Sequence, residues 1–172
     1  MYLEYRDTAA CSLLGMLLLD NIYKVPTQFL PPRIPYRETI TKVAQADYRH
    51  KKQSGGRGQF GHVVIKLAPL PRGQGFEFED AIVGGVVPGR FVPAVEKGII
   101  ETMAGGVLVG CKVVDVRATL HFGSYHTVDS DVMSFKIAAS MAFKKGFKEA
   151  HPVILEPIYN VDIYFPEEFM GA

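Results

Sequence analysis

Residues 53–66 read Q-S-G-G-R-G-Q-F-G-H-V-V-I-K, and the residues after the glycines decide the fold. Gly56, Gly58 and Gly61 match the dinucleotide fingerprint G-x-G-x-x-G. That fingerprint binds a pyrophosphate only where it succeeds a strand and opens a helix, whose first amides face the phosphates. Here the next residues, His62-Val63-Val64-Ile65, are strand formers, so the dinucleotide reading fails. With Val63 the match extends to G-x-G-x-x-G-x-V, and Val64-Ile65-Lys66 imitates the lysine strand of a protein kinase. In a kinase those pieces lie on successive strands, whereas here they are contiguous, and neither His-Arg-Asp nor Asp-Phe-Gly occurs. What remains is a glycine-rich loop running into a strand over 60–68. Val63, Ile65 and Leu67 share one face of that strand, and Val64 and Lys66 the other.

Before this loop, residues 7–23 read as a helix, Val25–Leu30 as a short extended piece, and 36–48 as a strand with Thr39, Ile40, Thr41 and Val43. The prolines of 31–35 (PPRIP) end any helix there and mark a domain boundary. After it, Pro69, Pro71 and Gly73 turn the chain into a third strand, where Phe76 and Phe78 alternate with Glu77 and Glu79. A helix over 91–104 carries the stripe Val92, Val95, Ile99 and Met103, with Pro93 in its first turn and Gly105 at its end. Lys112–Leu120 alternates as a strand, with Val114, Val116, Ala118 and Leu120 on one side and Asp115, Arg117 and Thr119 on the other. A polar loop, 121–130, leads into a helix over 131–150 capped by Ser130 or Asp129. Its small-residue face is Phe135, Ala139, Ala142 and Gly146, and His151-Pro152 stops it. A last strand is expected over 159–165. The order, a helix and then β-β-β-α-β-α-β, predicts an α+β fold: a mostly antiparallel sheet with two helices on one face.

The chain has 172 residues, 48% apolar and 22% charged, which fits one soluble globular domain with pieces attached. A net charge of +1 excludes a uniformly basic nucleic-acid binder but leaves room for a local basic patch. Cys11 and Cys111 lie far apart, without metal-ligand spacing, so no zinc site, disulfide framework or other metal site is expected. The apolar run Ala9–Leu19 is too short to span a bilayer and lacks a cleavage site, so a cytoplasmic protein with no membrane partner is expected.

Two loops carry the candidate chemistry. Arg49, Lys51, Lys52 and Arg57 supply four positive charges between Tyr48 and His62, with no acidic residue among them. Gln53, Ser54 and Gln59 add donors, Tyr48 and Phe60 add rings, and Gly55, Gly56 and Gly58 allow close backbone approach. Such a segment suits a phosphate backbone with stacked bases; its composition also fits a solvated hairpin loop. The second loop, 122–129, holds Ser124, Tyr125, His126 and Asp129. Ser124, His126 and Asp129 are too close in sequence for a catalytic relay, and no G-x-S-x-G elbow occurs, so no catalytic residue is assigned. Capping and turn formation explain Ser124, Asp129 and Ser130, and leave Tyr125 and His126 without a role.

Several motifs in register resemble the translation elongation factor G family. They are Pro35–Ile40 (PYRETI), Gln53–His62 (QSGGRGQFGH), Ile82–Pro88 (IVGGVVP), Pro93–Ile99 (PAVEKGI), Val113–Val116 (VVDV), Gly123–Ser130 (GSYHTVDS), Phe135–Ala138, Ser140–Lys144, Pro152–Pro157 and Pro166–Gly171. Together they cover about 31–172 of the chain. The resemblance implies the family's fourth domain over 35–157, like the second domain of ribosomal protein S5. It implies remnants of the third domain over 1–34 and of the fifth over 158–172. It further implies a translocation factor whose fourth domain reaches the small-subunit decoding site. There two tip loops contact rRNA and the tRNA–mRNA helix, with no role for DNA. By position the first tip loop takes Lys51, Lys52, Gln53, Ser54, Gly55, Gly56, Arg57, Gly58, Gln59 and Phe60, and the second Ser124, Tyr125 and His126.

The family is a GTPase using GTP and Mg, yet no G-x-x-x-x-G-K-[ST] loop occurs in this sequence, so these residues are expected to hold no cofactor and to be no enzyme alone. Asp131-Val132 stands where the family has Ser-Glu, a change harmless to capping. Two other readings stay open: a ribosomal protection protein of the tetracycline-resistance type, and a split-gene remnant that folds without binding.

Overall fold

The computed structural model of the chain describes residues 21–22, 24, 34–53, 56 and 58–158. The chain divides into two compact units, Met1–Ile34 and Pro35–Ala172, and the strands and helices named here belong to the second. The helix expected over 7–23, apart from Asn21 and Ile22, lies outside the described residues, as do the extended piece over 25–30 and the strand over 159–165.

The glycine-rich loop does run into a strand. Strands β2 (Ala44–Lys52) and β3 (Gln59–Pro69) form an antiparallel hairpin whose register runs from Ala44↔Leu67 to Lys52↔Gln59. Strand β5 (Val116–Ser124) pairs antiparallel with β3, and β4 (Phe76–Asp80) pairs parallel with β5. The sheet order is β2-β3-β5-β4. A parallel pair needs a crossover, and helix α1 (Val92–Gly105), entered through a 3-10 turn at Gly89–Phe91, supplies it. Helix α2 (Val132–Glu149) returns along β2 and β3, with α1 packed beside it. Strands β1 (Arg37–Ile40) and β6 (Pro152–Leu155) form a separate antiparallel pair. The architecture is α+β, with two helices against a largely antiparallel sheet.

The core lies between sheet and helices. Val63, Ile65 and Leu67 of β3 and Val116, Ala118 and Leu120 of β5 are fully buried against Phe135, Ala139, Phe143 and Phe147 of α2. Phe91 stacks on Phe135 with ring centroids 4.6 Å apart. Deleting a buried ring of this kind costs ~3–5 kcal/mol. Small residues set the spacing: a Cβ on Gly98 would stand 2.5 Å from the Lys136 carbonyl oxygen, so α1 and α2 meet backbone to backbone.

Four expectations are corrected. The strand expected over 36–48 is two strands, because the amide of Lys42 donates to the Ala150 carbonyl (3.0 Å) and the chain passes from one sheet to the other there. The strand expected over 112–120 starts at Val116 and runs on to Ser124, so Phe122 and Ser124 belong to a strand and not to a loop. Asp115, assigned to the outer side by alternation, is 4% exposed with φ 58°, and its Oδ1 accepts from the amides of Gly73 (3.1 Å) and Gly75 (2.9 Å). The cap of α2 is Asp131, whose Oδ1 accepts from the Ser134 amide at 2.6 Å, because Asp129 and Ser130 are engaged elsewhere. Strand β6, directly after the helix stop at His151-Pro152, was not expected from the sequence pattern.

At the end where α1 stops and β5 starts, a single carboxylate organises the chain. Glu38 of β1 is fully buried, and its Oε2 accepts from the amides of Val107 (2.7 Å) and Leu108 (2.9 Å). Its Oε1 accepts from the amides of Val109 (2.9 Å) and Cys111 (3.1 Å). Burial alone would raise this carboxyl, but the four amides outweigh it and hold its pKa below the usual 4.5.

Candidate nucleic-acid interface

The β2–β3 hairpin tip and the loop after β5 come together at the opposite end of the sheet. The joint consists of hydrogen bonds from one loop to the other. The Phe60 amide donates to the Asp129 carbonyl at 2.9 Å, and the Gly58 amide to Asp129 Oδ1 at 3.1 Å. Ser130 Oγ donates to the Phe60 carbonyl (2.9 Å) and accepts from the His126 amide (2.8 Å). Thus Asp129 and Ser130, read from sequence as helix caps, tie the two loops into one surface. The missed signal was their position directly between Tyr125-His126 and the first turn of α2.

The glycines divide into two kinds. A Cβ on Gly61 would lie 2.8 Å from the Ser134 carbonyl oxygen, and one on Gly58 would lie 3.0 Å from the Asp129 carboxyl carbon. Gly61 lets β3 meet the first turn of α2, and Gly58 lets the two loops meet. Gly56 has nothing within 4 Å of its would-be Cβ and is exposed. Gly56 itself leaves room beside its Cα.

Of the residues assigned from sequence, Lys51, Lys52, Gln53 and Gly56 are exposed on the first loop, and Tyr125 and His126 on the second. Gly58, Gln59, Phe60 and Ser124 are half-buried beneath them. Ser54, Gly55 and Arg57 lie outside the described residues. A concavity of about 320 Å³ opens between the loops, lined by Lys51, Lys52, Gln53, Gly58, Gln59, Phe60, His126 and Asp129. Among the described residues, Lys51 and Lys52 have no carboxylate partner, so their charge is free for another molecule. Phe60 and His126 offer tilted rings with centroids 6.4 Å apart.

The histidines are set differently. His126 Nδ1 accepts from the amides of Val128 (3.3 Å) and Asp129 (3.2 Å), which leaves Nε2–H as the ring's donor. Asp129 Oδ2 lies 3.3 Å from the same Nδ1. His62, under the loops, is 8% exposed and pairs through Nδ1 with Ser124 Oγ at 3.1 Å. Burial lowers the His62 pKa below 6.5, the Arg49 charge lowers it further, and Asp47 opposes both. Ser124 therefore faces His62 and not His126, and no Ser-His-Asp relay is assembled. Among the described residues no group of three His, Cys, Asp or Glu side chains gathers as metal ligands, and no helix is long and apolar enough to cross a membrane.

An antiparallel hairpin and a histidine loop held at one end of an α+β module define a class. The family description "Elongation factor G, domain IV" matches residues 32–151. An elongation factor G-like protein of Thermotoga maritima is 58% identical over 153 residues, which are 89% of this chain and 22% of that protein. A crystal structure of a Thermus thermophilus protein superposes with a TM-score of 0.70 at 45% identity, covering 83% of this chain and 21% of that one. The chain belongs to the elongation factor G family and carries its domain IV. It spans about a fifth of the length of both relatives.

Proposed function

We propose that this module works on the ribosome during translation elongation, with its joined tip loops directed at RNA in the small-subunit decoding site, where they assist movement of the tRNA–mRNA helix. The observation that carries this reading is the Asp129–Ser130 junction, which fastens the lysine-bearing loop to the Tyr125-His126 loop and leaves their outward groups free. Lys51, Lys52 and Arg57 neutralise phosphates, the backbone near Gly56 approaches the strand closely, and His126 Nε2 and the Tyr125 hydroxyl supply hydrogen bonds. Residues 35–157 are the working unit, in the cytoplasm. GTP and its Mg belong to other parts of a full-length factor, because no phosphate loop occurs among these residues.

Co-sedimentation with vacant 30S subunits at rising salt tests the reading. Wild-type chain pellets at low salt and is released as salt rises. The triple variant Lys51→Ala, Lys52→Ala, Arg57→Ala pellets less, and its log-affinity slope against log salt is smaller by about 2–3, since each phosphate contact contributes ~0.7–0.9. Equal pelleting and equal slopes for the two proteins would refute it.

A further inference from the structure

The sheet has a second face, which α2 does not cover. Such a face normally carries polar side chains, and this one presents Asp47 and Arg49 on β2, Lys66 on β3, Arg117 and Thr119 on β5, and Glu77 and Glu79 on β4. Phe122 interrupts the pattern: its ring is on the same face and 48% exposed. The cause is a bulge. Leu120 pairs with Ile65 and points into the core, but the register shifts between Ile65 and Val64, so Phe122 pairs with Val64 and is turned outward. Bulges re-aim side chains in this way and collect near functional sites. His62 meets the Phe122 ring edge-on, with centroids 6.2 Å apart and planes at 79°, which fixes its tilt and leaves ring surface open.

The named acids and bases of this face are equal in number, three and three, but they are not all paired with one another. The acids on this face have partners: Glu77 accepts from Arg117 Nε at 2.7 Å, Glu79 from Thr119 Oγ1 at 3.0 Å, and Asp47 from Lys145 Nζ at 3.3 Å. Arg49 sits in the row of His62, and Lys66 in the row of Thr119, on either side of the Phe122 row. Neither has a carboxylate partner among the described residues. Lys66 is one strand and one same-face row from Phe122, about 8 Å, and Arg49 two strands and one row, about 12 Å, within reach of long side chains. The row of His62 and Ser124 connects this face with the tip loops.

We infer that this face is a second contact surface for single-stranded RNA, with one base stacked on Phe122 and phosphates held by Arg49 and Lys66. An exposed ring between unpaired cations on an open sheet is the arrangement that takes unpaired bases, because every base has a π-face to stack. The surface rests on the reading of this module as one that faces RNA. It extends that reading from the loops to the strands behind them.

The probe is a fluorescein-labelled oligouridylate of about 12 nucleotides, within the usual site sizes of stacking platforms, titrated with the full chain and followed by anisotropy. Phe122→Ala is expected to weaken binding about 5- to 100-fold without changing its salt slope. Phe122→Tyr, which keeps the ring, stays within about twofold of wild type. Arg49→Ala with Lys66→Ala lowers the slope by about 1.4, from ~0.7 per phosphate on single strands. No binding by wild type, wild-type affinity in Phe122→Ala, or equal losses in the Ala and Tyr variants would overturn the proposal. Thermal melts confirm that folded proteins are compared. If Phe122→Ala binds normally while the tip triple variant still loses 30S pelleting, the sheet face is wrong and the tip reading stands. The reverse pattern overturns the tip reading and keeps the face.

Discussion

The two ends of this module are built on opposite plans. At the end away from the tips, one buried carboxylate, Glu38, satisfies four amides of the 107–111 turn, and nothing of it is left for solvent. At the tip end, Asp129 and Ser130 join two loops through a few bonds, while Lys51, Lys52, Tyr125 and His126 face outward. One end spends its polar groups on the fold. The other leaves them facing solvent. The contrast shows how a rigid base and a chemically open tip can share a single sheet.

The largest effect that can break this contrast is at Glu38. Glu38→Ala removes the buried acceptor of four amides and is expected to lower unfolding stability by ~3 kcal/mol in urea melts, the low end of the scale for breaking a buried charged network. A loss below about 1 kcal/mol would mean that the turn does not depend on this side chain. Next come the glycines. Gly61→Ala drives a Cβ to 2.8 Å from the Ser134 carbonyl oxygen and should cost ~1–3 kcal/mol. Gly56→Ala, with nothing within 4 Å, should stay within about 0.5 kcal/mol. Similar losses at both positions would erase the distinction between packing glycines and the open one. Asp131→Ala removes the α2 cap and should cost ~1 kcal/mol, read from thermal melts.

Acid sharpens the comparison further. His62 has a lowered pKa in the folded state, so its stabilising contribution is complete above the unfolded value of 6.5 and is lost as pH falls through the folded one. Glu38 is also lowered, so its contribution is complete above 4.5 and is lost as pH falls below that. Stability measured against pH should therefore decline in two steps, first from the tip side and then from the base. His62→Asn should remove the first step and leave the second, and an unchanged first step would exclude His62 as its source.

The sequence made the hairpin, both helices and the helix-facing residues of β3 legible, because period and turn chemistry are local. Val63, Ile65 and Leu67 alternate, and Phe135, Ala139, Ala142 and Gly146 repeat at helical spacing. It did not expose features that depend on distant partners. Asp115 looks like an outward strand residue until Gly73 and Gly75 come to its carboxylate. The outward turn of Phe122 results from a bulge set by pairing with β3, which no alternation within β5 reveals. Strand β6 is four residues that acquire meaning only beside β1. Composition and family resemblance single out the two loops as candidates, but the junction between them through Asp129 and Ser130 needed the fold.

The central claim concerns direction: the tip, and not the base, faces small-subunit RNA. It is tested by tethering an iron chelate to a single cysteine, after Cys11→Ser and Cys111→Ser, at Gly56→Cys or at Val109→Cys, whose native side chain is 58% exposed on the 107–111 turn. Hydroxyl radicals are then generated on 30S complexes, and rRNA cleavage is mapped. The account predicts strong cuts around the decoding site from position 56 and none there from position 109. Decoding-site cuts from position 109, or none from position 56 in a chain that pellets with 30S, would contradict it.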